Sequence, residues 1–229
     1  WSAVAADGIT FAMIKCGGGD DGLYEDRKFE QNIQGALANG IQVGVYFYSG
    51  ASNAREAYDE ASYCISLIRD YQITYPVAFD WELDGDYDSV TEACETFCNV
   101  ISSYGYQPMV YSNKYRWYDN FDGEKIASKY KVWMACYWKD YYYTSTRWAY
   151  GDRLVDFRWN YDMWQYGITN TVTGIDGYVD MNIAFFGYAN YHVDTKDAVL
   201  TVTNKEIKRT YGDGIGRLTE ELNLLDGVK

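Results

Sequence analysis

This 229-residue chain is poor in several things, and each shortage narrows what it can be. Its 20 lysines and arginines are outnumbered by 33 acids, for a net charge of −13. Nucleic acids and anionic membrane surfaces need a basic footprint, so neither is expected as a partner. No apolar run reaches the length of a membrane span, which argues against membrane insertion through a helix. The five cysteines (Cys16, Cys64, Cys94, Cys98 and Cys136) show no CxxC spacing. Cys94 and Cys98, at i and i+4, suit neither a standard zinc site nor an easy disulfide, so all five read as small buried hydrophobes. The single histidine, His192, falls in a polar tail and reads as a surface residue. Gly17-Gly18-Gly19 lacks the following lysine and Ser/Thr of a phosphate-binding loop and reads as a flexible turn. No metal or other cofactor is expected.

Aromatics are abundant: 25 tyrosines, eight tryptophans and nine phenylalanines make 18% of the chain, more than a core requires. Aromatic rings stack on the apolar faces of sugars, and tyrosine adds a hydroxyl, so the excess suits a carbohydrate cleft. Packing between helices and a sheet would use the same residues. The apolar fraction of 48% is ample for one large α/β domain.

Along the chain, Trp1 to Ala6 reads as the end of a helix stopped by Asp7-Gly8, and Ile9 to Cys16 as a strand. Phe29, Ile33, Ala36 and Leu37 keep helical spacing up to Gly40. Ile41 to Tyr48 follows as a strand, with Val43, Val45 and Phe47 on one parity and Gly44, Tyr46 and Tyr48 on the other. Ser52 or Asn53 caps a helix running to about Tyr71, and Pro76 opens the next strand. A helix over Asp88 to Tyr104, stopped by Gly105, leads to a strand over Met109 to Asn113, opened by Pro108. This alternation predicts a parallel sheet with right-handed crossovers and active residues at the carboxyl ends of its strands. Lys131 to Trp138, Asp162 to Tyr166 and Tyr178 to Ala184 read as further strands joined by turns, so the second half is expected to be antiparallel. The fold class is therefore α/β, an irregular TIM-like β/α barrel over residues 1–188. Residues 189–229 read as a linker plus a small helical piece.

The sharpest chemical signal is Tyr75-Pro76-Val77-Ala78-Phe79-Asp80-Trp81-Glu82. On a strand, Asp80 and Glu82 share a face, and two acids there cost desolvation energy unless something uses or neutralises them. A glycosidase needs one carboxylic acid to protonate the leaving oxygen and a second group to stabilise the oxocarbenium-like centre. Cα atoms at i and i+2 lie roughly 6.6–6.8 Å apart, close enough for the carboxyls to reach the roughly 5–5.5 Å of a retaining enzyme. Glu82, longer and nearer the strand end, is the candidate acid, with Asp80 its ionised partner. The plainer alternative has Asp80 capping a loop and Glu82 paired with a cation. Asp180, another acid in an apolar strand, tips the balance toward catalysis.

On these residues the chain resembles the family 25 glycoside hydrolases, lysozymes that cut peptidoglycan between N-acetylmuramic acid and N-acetylglucosamine. The matching pieces are Trp1-Ser2-Ala3-Val4, Gly8-Ile9-Thr10-Phe11-Ala12, Gly44-Val45-Tyr46, Phe79-Asp80-Trp81-Glu82 and Pro108-Met109-Val110-Tyr111. Val132-Trp133-Met134-Ala135-Cys136-Tyr137, Trp164-Gln165-Tyr166 and Val179-Asp180-Met181-Asn182 continue them in order. The resemblance implies Glu82 as proton donor, Asp80 as the acid that stabilises charge or orients the substrate's N-acetyl group, and Asp180 as a further cleft carboxylate. It implies cleft-lining roles for Tyr46, Tyr111, Trp133, Tyr137 and Gln165, with Tyr48 and Trp81 counted beside them as substrate-binding residues. No metal is needed. The partner it implies is peptidoglycan, acted on by a monomer outside the cell or at the wall, as a secreted bacterial or phage lysin.

The family begins with a strand bearing an aspartate, which this sequence does not contain, so a truncated first strand is expected. Glu206-Ile207, Tyr211-Gly212-Asp213-Gly214 and Arg217 resemble the start of a cell-wall-binding helical repeat. A chitinase-type barrel also ends a strand in Asp-x-Glu but carries another acid two residues upstream, where this chain has Ala78. A degenerate barrel that binds glycan without cutting it is the non-enzymatic alternative.

Overall fold

The structure, a computed structural model, describes residues 1–137 and 155–186. Helix α1 (Ser2–Ala6) leads into β1 (Phe11–Gly18) and the short β2 (Tyr24–Glu25). Helix–strand units follow: α2 (Phe29–Ala38) to β3 (Gln42–Tyr48), α3 (Ala54–Ile68) to β4 (Val77–Asp80), and α4 (Tyr87–Ser103) to β5 (Pro108–Asn113). Two short helices, α5 (Lys114–Asp119) and α6 (Gly123–Ala127), precede β6 (Lys131–Ala135); β7 (Met163–Asn170) and β8 (Val179–Ala184) complete the described elements.

The starts and stops have local causes. Asn53 accepts a hydrogen bond from the Glu56 amide to cap α3, and Asp86 does the same from Ser89 for α4. Gly40, at φ 72°, takes the left-handed conformation that ends α2.

The strands form one curled sheet in the order β2-β1-β3-β4-β5-β6-β7-β8. From β1 through β3, β4, β5 and β6 to β7 every pairing is parallel, while β2 and β8 run antiparallel to their neighbours. Alternation along each strand makes two cores. Val43, Val45, Phe47, Val77, Phe79, Val110 and Val132 face the helices, where they meet Ile33, Cys64, Phe97 and Ile101. Met13, Ala78, Met109, Tyr111, Trp133 and Met163 face inward and fill the curl. A parallel sheet buried on both faces needs both layers. Phe79 and Phe97 are fully buried with ring centroids 5.2 Å apart, and burying each such ring contributes about 1.5–3 kcal/mol.

The irregular α/β barrel is as expected, with several local differences. Gly17 and Gly18 belong to β1 rather than to a flexible loop. A Cβ on Gly17 would meet the Tyr24 carbonyl oxygen at 2.2 Å, so glycine there admits the crossing of β2. The second half is not antiparallel as a whole: β7 pairs parallel to β6, and only β8 reverses. The reason is connection length, since residues 136–162 are enough for a crossover whereas 171–178 make a hairpin. Helix α3 ends at Ile68, short of Tyr71, and β4 ends at Asp80, leaving Glu82 in the following loop. Trp138, His192 and the tail 189–229 lie outside the described residues. Cys16, Cys64, Cys94 and Cys98 are buried and Cys136 is half-buried; all are free thiols.

Candidate active site

The inward parity of each strand delivers one part of the site. Tyr48 on β3, Asp80 on β4, Tyr111 on β5 and Trp133 on β6 are successive Cα partners across the sheet. Gln165 on β7 pairs with Asn182 on β8. Parallel strands bring their carboxyl ends to one mouth. Because β8 runs the other way, its beginning, with Asp180, reaches that same mouth. Glu82 follows two residues after Asp80 and is half-buried.

These side chains are tied together. The Tyr111 hydroxyl donates to Gln165 Oε1 at 2.8 Å, and the Tyr137 hydroxyl donates to the same oxygen. Trp133 Nε1 donates to Asn182 Oδ1 at 2.8 Å, and the Trp133 and Tyr111 rings meet edge-on with centroids 4.5 Å apart. Tyr46 packs edge-on against Trp133 from the other side at 6.2 Å. The result is a wall of aromatic rings whose orientations are fixed by one another.

Asp80 is 5% exposed. Its Oδ1 has no hydrogen-bond partner among the described residues. Burial pushes its pKa well above the ordinary carboxylate value, the Glu82 charge adds to this, and the Lys15 ammonium opposes it. Burial also raises Glu82, against the pull of Arg116 and with a push from Asp180. Asp180 stands at the rim, its carboxyl raised by partial desolvation. Desolvation raises Tyr46 too, helped by Asp80 and then Asp180. Tyr137 is pushed up to about 12 by burial, with Asp180 and Glu82 adding to it. The three acids thus act on one another and on the same tyrosines, which brings them to one site. Burial thus works against the ionised form expected of Asp80, and Lys15 works for it.

Trp81 is not brought to this cluster. Alternation turns it to the helix face, where it is buried against Phe121 at 5.7 Å and beneath the Arg116 guanidinium. Three nearby residues were not singled out from the sequence. Lys15, on the inward parity of β1, lies with its ammonium 4.8 Å from the Tyr48 ring centroid and 5.5 Å from that of Tyr24. A lone charge in the apolar run Phe11 to Cys16 was the available signal. Arg116 donates to Asp84 Oδ1 at 3.0 Å and to the Leu83 carbonyl, anchoring the loop after Glu82. Asn182 orients Trp133. Arg116 carried no sequence signal of its own, and Asn182 only its place in the matching piece Val179-Asp180-Met181-Asn182.

Among the described residues no pairing joins β1 to β8. A cavity of about 1200 Å³ runs along that seam, lined by Lys15, Asp26, Tyr46, Asp180 and Asn182 among others. No group of three or more His, Cys, Asp or Glu among the described residues is arranged to hold a metal ion.

Residues 1–175 match the family model of the glycosyl hydrolases family 25. The chain belongs to this family. Asp180 and Asn182 lie just past the matched stretch. A D-alanyl-L-alanine endopeptidase of Streptococcus phage B30 is 31% identical over 147 residues, 62% of this chain and 31% of that protein. A lysozyme of Streptococcus phage Cp-1 is 32% identical over 100 residues, 42% of this chain and 29% of that protein. The chain therefore spans about a third of the length of these curated relatives. In fold it is similar to the catalytic domain of endolysin ply40 from bacteriophage P40 of Listeria monocytogenes, with a TM-score of 0.65 and 22% identity over 80% of this chain and 85% of that one.

Proposed function

We propose that this family 25 chain is a muramidase that hydrolyses the β-1,4 bond between N-acetylmuramic acid and N-acetylglucosamine in peptidoglycan. The observation that carries this reading is the convergence of Asp80, Glu82 and Asp180 at a mouth walled by Tyr46, Tyr111, Trp133 and Tyr137. Glu82 is the general acid: half-buried, with its pKa raised by burial, it holds its proton more firmly than a free carboxyl and gives it to the leaving glycosidic oxygen. Asp80 Oδ1, buried and without a partner, accepts from the N–H of the substrate's N-acetyl group. That hydrogen bond and the Lys15 charge both favour the ionised form, in which Asp80 stabilises the developing positive charge. Asp180 closes the third side, the aromatic wall stacks on the sugar faces, and water adds to the glycosyl carbon, its proton returning to Glu82.

We also propose that the β1–β8 seam receives an extended segment. Among the described residues the far side of β1 pairs with β2 only at its end, through Gly17 and Gly18, and β8 pairs only with β7. Two unpaired edges facing one cavity are what an added strand satisfies. The relatives' names support a lysin that acts at a bacterial cell wall, and peptidoglycan strands as its partner.

The test is release of new reducing ends from purified bacterial cell wall by the wild-type protein and by Glu82→Gln. The variant is expected to lose about 10²–10⁴-fold in rate. A variant as active as wild type would remove Glu82 from the acid role.

A further inference from the structure

The mechanism above leaves one buried acid unused. Glu60 is 3% exposed and sits on α3, behind the sheet and outside the cleft. An acid buried there is costly unless its oxygens are satisfied by something that needs them. Its Oε2 accepts from the Ser49 hydroxyl at 2.5 Å and its Oε1 from the Gly50 amide at 2.9 Å. Ser49 Oγ in turn accepts from the Ala51 amide at 3.1 Å. The carboxyl therefore organises the whole turn that leaves β3.

A second loop rests on the same carboxyl. A Cβ built on Gly19 would lie 2.1 Å from Glu60 Oε1, so the backbone leaving β1 packs directly on it. A Cβ on Gly50 would lie 2.5 Å from Asp20 Cα, so the two loops also touch each other. Both then reach the site through the backbone. The Ser49 amide donates to the Asp80 carbonyl oxygen at 2.7 Å, and the Gly19 amide donates to the Tyr48 carbonyl oxygen at 2.9 Å.

We propose that Glu60 is a positioning residue for the cleft: it clamps the loops after β1 and β3, and through Ser49 and Gly19 it sets where Asp80 and Tyr48 stand. This rests on the reading of Asp80 as a working carboxyl of the site. The charged groups facing Glu60 are Asp20 and Glu56, and those facing Asp80 are Glu82 and Lys15. The hydrogen bonds of Glu60 go to Ser49 and Gly50 and its carboxyl packs on Gly19, so its hold on the site runs through the backbone of residues 49 and 19.

The experiment compares wild type, Glu60→Gln and Ser49→Ala. It measures thermal unfolding, kcat and KM on soluble wall fragments, and the Asp80 carboxyl titration by carbon NMR on protein labelled at aspartate carboxyls. The expected result is a kcat lowered about tenfold, less than the roughly 100-fold of a 1 Å misplacement, with KM held within about twofold. The Asp80 midpoint is expected to move by about half a pH unit or more in both variants. A purely structural Glu60 would lower the unfolding temperature and leave that titration in place. Folded variants with an unchanged Asp80 titration, or with an unchanged kcat, overturn the proposal. If Glu60→Gln does not fold, Ser49→Ala decides alone, since it cuts the same hydrogen bond without leaving a misfit amide. A wild-type protein that releases nothing from wall fragments counts against the muramidase reading, and the Asp80 titration still decides the clamp.

Discussion

Lys15 faces Asp80 across the mouth of the sheet, and among the described residues it is the positive charge pulling that carboxyl toward ionisation. Replacing it with methionine keeps the apolar stem and removes the charge. Asp80 then ionises only at higher pH, so the acid limb of kcat/KM is expected to move upward, while the alkaline limb, set by Glu82, stays in place. A pH profile of Lys15→Met on wall fragments checks this, and parallel movement of both limbs would contradict it.

Asp80 also carries a stability signature whose sign is fixed by its environment. Its folded pKa is raised above the unfolded value, so the fold gains from its protonated form. That contribution is present in full below the unfolded pKa near ~3.9 and is lost as pH rises through the folded pKa. Asp80→Asn removes this titration and is expected to raise Tm at neutral pH, by about 2–4 °C for each kcal/mol recovered in a chain of this size. The gain should shrink below pH ~4, where the unfolded chain is protonated at this position too. Melting curves of the two proteins at neutral and acid pH test it. A variant that is both inactive and more stable is the mark of a site whose acids serve chemistry rather than folding.

At the scale of elements, caps and alternation explain most of the fold. Asn53→Ala removes the acceptor for the Glu56 amide and is expected to cost about 1 kcal/mol by denaturant titration, with no effect on wall hydrolysis beyond stability. The same local logic made much of the architecture legible from the sequence. Asn53, Pro76, Gly105 and Pro108 mark boundaries within a few residues, and the parity of Tyr46 and Tyr48 against Val43, Val45 and Phe47 names the inward face of β3 correctly. Parity also shows why Trp81 does not join Asp80 and Glu82, since its place between them turns it to the helices. What the sequence did not reveal depends on partners distant along the chain. Whether Gly17 and Gly18 form a loop or a strand depends on Tyr24 crossing over them. The direction of β7 depends on where β6 has left the sheet. Arg116 and Asn182 reach the site only because α5 and β8 fold back onto it.

At the scale of the whole molecule, the curl of the sheet makes the site and its seam leaves it open on one side. Asp180 reaches the mouth only because β8 reverses, and Lys15 only because β1 stands across from it; the cavity lies between these two strands. Adding an extended segment that pairs in this seam should protect the β1 amides from hydrogen exchange, because a paired edge opens less often. No protection would mean that the seam is not a strand acceptor.

The central claim is that this mouth cuts the bond on the muramic acid side of the glycan strand. Digestion of purified cell wall, followed by mass spectrometry of the reduced products, identifies the sugar at each new reducing end. N-acetylmuramic acid at those ends is the predicted result, and N-acetylglucosamine there would contradict it.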